Sequence, residues 1–271
     1  MVASFSLSNH MLNQLAKLKI LLASLLLASV TIMPAGADDH AGGKPTGREI
    51  MRDAYALMNH FPTVMAEIDL KVESKGKSRE RQLVLKTKHS DANTKIIAKF
   101  TAPDSARGVG YASLIPASGA PESWIYLPSL GSLRKLKGND ANDSFFGSDF
   151  SYNDIAGRSL DQDTHRIVNE DERNVYVESR PKDKDDNYAR FISVIRKSNK
   201  TIRSVTFFDK RDRELKRLSN KGFQSFDGLP VIAYSVMENL QTGSVTHLDR
   251  GVLHINAELS DSDFGPDALK R

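Results

Sequence analysis

The sequence predicts a mainly β fold, a single strongly curved antiparallel sheet or open barrel of about a dozen strands. Three observations carry this. From Val64 onward apolar residues recur with a period of two. The alternating segments are short and separated by Gly, Pro, Asn or Asp, which is turn chemistry. No long helical pattern lies between them, as repeated βαβ units would require.

At the N-terminus Lys17 and Lys19 precede the apolar run Ile20 to Met33, followed by Pro34, Ala35-Gly36-Ala37 and the polar Asp38-Asp39-His40. A basic segment, a short apolar stretch and an A-x-A site are the layout of a secretory signal peptide. The run is shorter than the roughly 20 apolar residues that span a bilayer. The expected organisation is a cleaved signal over 1–37, a linker over 38–45 and one domain over 46–271. An exported chain with no other segment apolar enough to cross a membrane is expected in a Gram-negative periplasm.

Thr46 and Glu49 have the spacing of a capping box, and Ile50, Ala54, Leu57 and Phe61 then recur at helical spacing until Pro62. This predicts an amphipathic helix over about 47–60. Val64, Ala66, Ile68, Leu70 and Val72 alternate with Met65, Glu67, Asp69, Lys71 and Glu73, Ser74-Lys75-Gly76-Lys77 supplies a turn, and Leu83, Leu85 and Thr87 resume the pattern. Residues 64–89 therefore read as a long hairpin. Further strands are expected at 95–101, 109–115, 123–128, 133–136, 165–169, 175–179, 189–197, 201–208, 214–218, 231–238 and 246–259.

Composition excludes several classes. With no Cys there is no disulfide framework, thiolate nucleophile, Cys-based metal site or lipidated cysteine. Lys and Arg number 38 against 34 Asp and Glu, and two of the lysines lie in the expected signal, so no nucleic-acid partner is indicated. The seven His are scattered without ligand spacing, so neither a metal nor a cofactor is expected. Gly147-Ser148-Asp149 is not a nucleophile elbow, and Gly108-Val109-Gly110 lacks the third glycine of a dinucleotide site. Asp183-Lys184-Asp185-Asp186-Asn187 has Tyr188 where a calcium loop needs Gly and Val194 where it needs Glu. A non-enzymatic protein is expected.

The middle of the chain is aromatic and Gly-rich without a clean period. Trp124, Phe100, Phe145, Phe146, Phe150, Tyr111, Tyr126 and Tyr152 all fall between residues 100 and 152. Such a segment suits a loop packed over a barrel mouth or a lid over an apolar cavity. The apolar face of the sheet likewise suits either a filled core or a partly open cavity.

The runs Phe100-Thr101-Ala102-Pro103-Asp104-Ser105-Ala106-Arg107-Gly108-Val109-Gly110, Trp124-Ile125-Tyr126-Leu127-Pro128 and Gly147-Ser148-Asp149-Phe150-Ser151-Tyr152-Asn153-Asp154 occur in this order. Together they resemble outer-membrane lipoprotein-sorting proteins of the LolA-like superfamily, in a branch distant from the lipoprotein carrier itself. The resemblance covers about 45–265. It implies an open, unclosed antiparallel β-barrel of about 11–12 strands with short plug helices, whose concavity accepts acyl chains. It further implies a periplasmic carrier of lipid or lipoprotein, often beside an inner-membrane exporter of the resistance-nodulation-division type. A sensor module of the same fold that binds a membrane protein is the alternative. Leu70, Leu85, Tyr111, Trp124, Tyr126, Phe150 and Tyr152 are the candidate ligand-binding residues of cavity and lid. Helix 47–60 and the loop 130–155 are expected to move on loading.

Overall fold

Thr46 accepts a hydrogen bond from the Glu49 amide while Glu49 Oε2 accepts one from the Thr46 amide at 2.8 Å, and this closed capping box starts helix α1, Gly47–Met58. The helix buries Ile50, Met51 and Ala54 along one stripe. The computed structural model describes residues 43–271 except 118 and 120. The expected signal peptide and residues 38–42 of the expected linker lie outside the described residues.

The rest of the chain is dominated by one antiparallel sheet. Its strands are β1 (Thr63–Ser74), β2 (Lys77–His89), β3 (Asn93–Ala102), β4 (Gly110–Pro116), β5 (Glu122–Leu127), β6 (Ser132–Lys135), β7 (Asp163–Glu170), β8 (Asn174–Pro181), β9 (Arg190–Arg196), β10 (Ile202–Phe208), β11 (Glu214–Phe226), β12 (Leu229–Asn239) and β13 (Val245–Ile255). The spatial order is β6-β5-β4-β3-β2-β1-β13-β12-β11-β10-β9-β8-β7. Every pairing joins strands consecutive in sequence except β1–β13, which joins the two halves, and the consecutive β6 and β7 lie at opposite edges. The edge strands β6 and β7 do not pair with each other, so the sheet stays unclosed.

Its curvature follows from one cavity lining. Ala98 on β3 and Phe191 on β9 border the same space, although they are seven strand steps apart. On a flat sheet that separation would be about 34 Å, at roughly 4.8 Å per step.

The expected alternation is realised on β1, where Ala66, Ile68, Leu70 and Val72 are buried against the concavity and Glu67 and Asp69 are exposed. Three details differ from the sequence reading. The sheet has 13 strands. Strand β11 runs to Phe226 rather than stopping at residue 218, because the two-residue turn Asp227-Gly228, with φ of 49° and 77°, carries its pairing with β12 to the very end. Strand β13 ends at Ile255, and the chain then crosses the convex face.

That crossing explains why β3 is buried on both sides. Ile97 and Ala112, which point away from the concavity, are covered by Phe264, Ala268 and Leu269 of the C-terminal segment with its helix α3, Pro266–Leu269. A Cβ at Gly110 would lie 2.7 Å from Leu269 Cδ2, so glycine is what lets α3 seat there. Lys88 and Lys95 both reach Asp261 at 2.9 Å and hold the crossing down.

Candidate functional site

The concave face does not fill itself with side chains. Between the sheet, α1 and the segment after β6 lies a two-lobed cavity with an outer lobe of about 400 Å³ and an inner lobe of about 220 Å³. The lobes share Tyr55, Met58, Leu85, Ile155, Arg158 and Arg250 in their walls. The inner lobe is apolar, with Ile68, Leu70, Leu83, Val205, Phe207 and Met237 around it. The outer lobe adds Ile96, Ile115 and Val231, and a polar rim that includes Asn59, His89 and Ser159. This size and mixture are those of a small-molecule site.

One side of the cavity is formed by residues 138–159, a strap that carries the third sequence motif. Phe146 and Gly147 take left-handed backbone angles of 49° and 78°, turning the chain so that Ser144 bridges Ser151. Asp149 follows, its amide donating to Thr246 Oγ1 at 2.9 Å and its Oδ2 accepting from the same hydroxyl at 2.7 Å. Phe150 then enters the inner lobe. Ser151 caps helix α2, Tyr152–Ala156, in a second capping box with Asp154. This helix begins inside the expected 130–155 loop. Its signal, Ser151 three residues before Asp154, is present in the sequence.

Asp154 is fixed from three sides: Lys216 Nζ donates at 2.6 Å, the Tyr188 hydroxyl donates at 2.9 Å, and the Ser151 amide donates at 2.7 Å. Lys216 also donates to the Asp149 carbonyl at 3.1 Å. Burial, together with the Asp154 charge, pushes the Tyr188 phenol well above its ordinary pKa, so it acts here only as a donor. Arg158, at the end of the strap, is bound bidentately by Asp163 at 2.6 and 2.9 Å and also donates to Asp186 at 2.8 Å. Asp186, from the acidic turn weighed above as a calcium loop, is thereby occupied in a cation pair.

Arg250 differs from these charged neighbours. It is half-buried on the concave face of β13, opposite Ile68 of β1, and lines both lobes. Its hydrogen bond is a long one, from Nη1 to Ser235 Oγ at 3.4 Å, and Ser235 in turn donates to Asn220 Oδ1 at 2.8 Å. Burial lowers its pKa to about 10, partly offset by Asp249, so it remains cationic at neutral pH. The sequence reading passed over Arg250, yet its phase was legible. It follows Thr246 and Leu248 on the inward side of the alternation. The irregularity at Gly251 then resets the phase, turning Val252 outward and Leu253 toward the cavity.

The seven candidate residues fall into three places. Leu70, Leu85 and Phe150 line the cavity. Tyr111 and Tyr152 lie beside it in an aromatic cluster, their ring centroids 5.3 Å apart and each packed on Phe145. The Tyr111 hydroxyl contacts Ser123 at 3.2 Å, and burial raises the Tyr152 phenol to about 12. Trp124 and Tyr126 are on the opposite face of β5, packed with Ile97, Leu133 and the C-terminal helix, and do not line the cavity. Alternation along β5 decides this, since Ile125 and Leu127 take the inward phase. Among the described residues no group of three His, Asp or Glu is placed to hold a metal ion. Nor is any helix among them long and apolar enough to cross a membrane.

A family model described as "uncharacterized protein" matches residues 92–271. The chain belongs to that family. No curated protein matches the sequence. Among solved structures, a domain from Vibrio parahaemolyticus described as an outer membrane lipoprotein-sorting protein superposes with a TM-score of 0.80 at 23% identity, over 83% of this chain and 98% of that one. A DUF1329 family protein from Desulfovibrio piger gives 0.77 at 24% identity, over 82% and 97%. A LolA superfamily protein from Nitrosomonas europaea gives 0.65 at 19% identity, over 83% and 100%. The chain therefore has the LolA-like fold, as its three motifs suggested.

Proposed function

We propose that this protein is a periplasmic carrier of lipid or lipoprotein, which shelters an acyl chain in the two-lobed cavity during transfer between membranes. The observation that carries this reading is the cavity itself, an unfilled and mainly apolar space on the concave face of the sheet. An acyl chain loses about 0.8 kcal/mol per CH₂ when exposed to water, so a carrier must offer a comparable apolar surface throughout transit. The similarity to a lipoprotein-sorting domain and to a LolA superfamily protein supports the same reading. An inner-membrane exporter of the resistance-nodulation-division type is the proposed donor or acceptor.

The test is native mass spectrometry, with lipid extraction, of protein purified from a Gram-negative periplasm, followed by transfer of labelled lipid between vesicles. A co-purifying acyl lipid or lipoprotein and catalysed transfer are expected. Lipid-free protein that takes up nothing from vesicles, yet forms a lasting complex with a membrane protein, would replace the carrier by a sensor of the same fold.

A further inference from the structure

Of the charged side chains that wall the cavity, two are fully engaged. Arg158 is held by Asp163 and Asp186, and Asp154 by Lys216, Tyr188 and the Ser151 amide. Among the described residues Arg250 has no ion-pair partner, and its one side-chain hydrogen bond is to Ser235 at 3.4 Å. A guanidinium carries five N–H donors in a planar fork, so most of them have no acceptor in the protein. No buried side-chain nitrogen among the described residues is unsatisfied, so the free donors of Arg250 are on accessible surface. The residue lines both lobes, which makes that surface the cavity wall.

The surroundings reinforce the point. Arg250 lies beside the bonded pair Ser235 and Asn220, which with Ser193 and the engaged Asp154 and Arg158 interrupt an otherwise apolar lining of the inner lobe. Ser235 Oγ and Asn220 already bond to each other, and Asn220 Nδ2 donates to the Ile202 carbonyl at 2.9 Å. A lone cation in an apolar enclosure is costly unless something compensates it. A cavity meant only for hydrocarbon would be better served by an aliphatic residue at this inward position of β13.

We propose that the cavity selects anionic amphiphiles, with Arg250 binding the carboxylate or phosphate of the ligand while its aliphatic chain lies along the wall formed by Ile68, Leu70, Leu83 and Met237. This rests on the carrier reading and adds the ligand's charge. The planar fork suits bidentate binding of either oxyanion.

The experiment measures affinities of dodecanoate, dodecyl phosphate and dodecanol for protein purified from cells expressing the full chain, at pH 8 and fixed salt, in wild type, Arg250→Gln and Arg250→Lys. Wild type is expected to bind at least one of the anions about tenfold or more tightly than dodecanol, equivalent to about 1.4 kcal/mol. The anion that gains identifies the headgroup class. Arg250→Gln should erase the preference, so that the anions bind no more tightly than dodecanol. Arg250→Lys, which keeps the charge but loses the bidentate fork, should retain part of the preference, and it remains informative if the glutamine variant folds poorly. Equal binding of all three probes by wild type, or a preference that survives in Arg250→Gln, would overturn the proposal and leave the carrier reading standing. Failure of all three to bind would overturn both.

Discussion

Lys216 on β11 and Asp154 on α2 form an ion pair, Nζ to Oδ2 2.6 Å, with side chains only 7% and 9% exposed. The pair ties the strap to the far half of the sheet across 62 residues of chain. The Lys216 ammonium also lies over the rings of Tyr188 and Phe207, at 5.1 and 5.5 Å from their centroids. Removing one member of a buried pair leaves the other uncompensated, which typically costs 3–5 kcal/mol. Lys216→Met should therefore lower stability by about 3 kcal/mol in chemical denaturation. A loss below about 1 kcal/mol would show that water reaches Asp154 freely and that the strap is held elsewhere.

The period-2 reading separates the aromatic motif residues by face, and function should separate with them. Leu85→Trp places added volume into both lobes, where it meets void rather than packed atoms. Stability should change by less than about 1 kcal/mol, and uptake of a fluorescent fatty acid should fall at least tenfold. Trp124→Ala removes packing from the convex face beside Leu133 and the C-terminal helix. It should cost about 2 kcal/mol and leave uptake unchanged. The opposite pattern in a binding titration would place the ligand on the convex side.

Much of this arrangement was legible before any coordinates. Alternation from Val64 to Val72, the turn at Lys75-Gly76 and the capping box at Thr46 led directly to β1, β2 and α1, because each is a local pattern enforced by backbone geometry. The LolA-like fold was legible through three motifs. The strap helix and the long end of β11 were missed. Ser219 to Phe226 shows no apolar alternation, and the pairing there is dictated by the Asp227-Gly228 turn. Alternation along β5 sets Trp124 and Tyr126 on one face, but that this face is the convex one, covered by the C-terminal segment returning over β3 to β5, is a contact across more than 130 residues that no local period records.

Acid should loosen that returning segment. The bonds from Lys88 and Lys95 lower the Asp261 carboxyl from 3.8 to about 2. A carboxyl depressed on folding stabilises the native state above its unfolded pKa, near 4, and the contribution is lost as pH falls toward 2. Wild type should thus exceed Asp261→Asn in Tm at pH 7, and the difference should vanish near pH 2. Limited proteolysis of residues 256–271 should accelerate over the same window in wild type alone. A Tm difference independent of pH would mean that the carboxylate charge at Asp261 contributes nothing.

The cavity walls also indicate which parts must yield when a ligand enters. The strands that wall the cavity are held by ladder bonds on both sides, whereas α1 and the strap, which border it with Tyr55 and Met58 from one and Ile155 from the other, stand outside that ladder. Met58 is 52% exposed at the end of α1, where the helix makes no further turn. Opening there breaks no sheet pairing, so it is the least costly route for a chain to pass between outer and inner lobes. Hydrogen exchange should accordingly slow in Tyr55–Asn59 and in residues 150–158 on loading with dodecanoate, while β1, β12 and β13 stay unchanged. The strap should respond less than α1, because the Asp154–Lys216 pair and the Asp149–Thr246 bonds restrain it. Lys216→Met should erase that difference by freeing the strap. Identical exchange in the free and loaded protein across both segments would mean that the cavity is entered without gating, through the unclosed seam between β6 and β7.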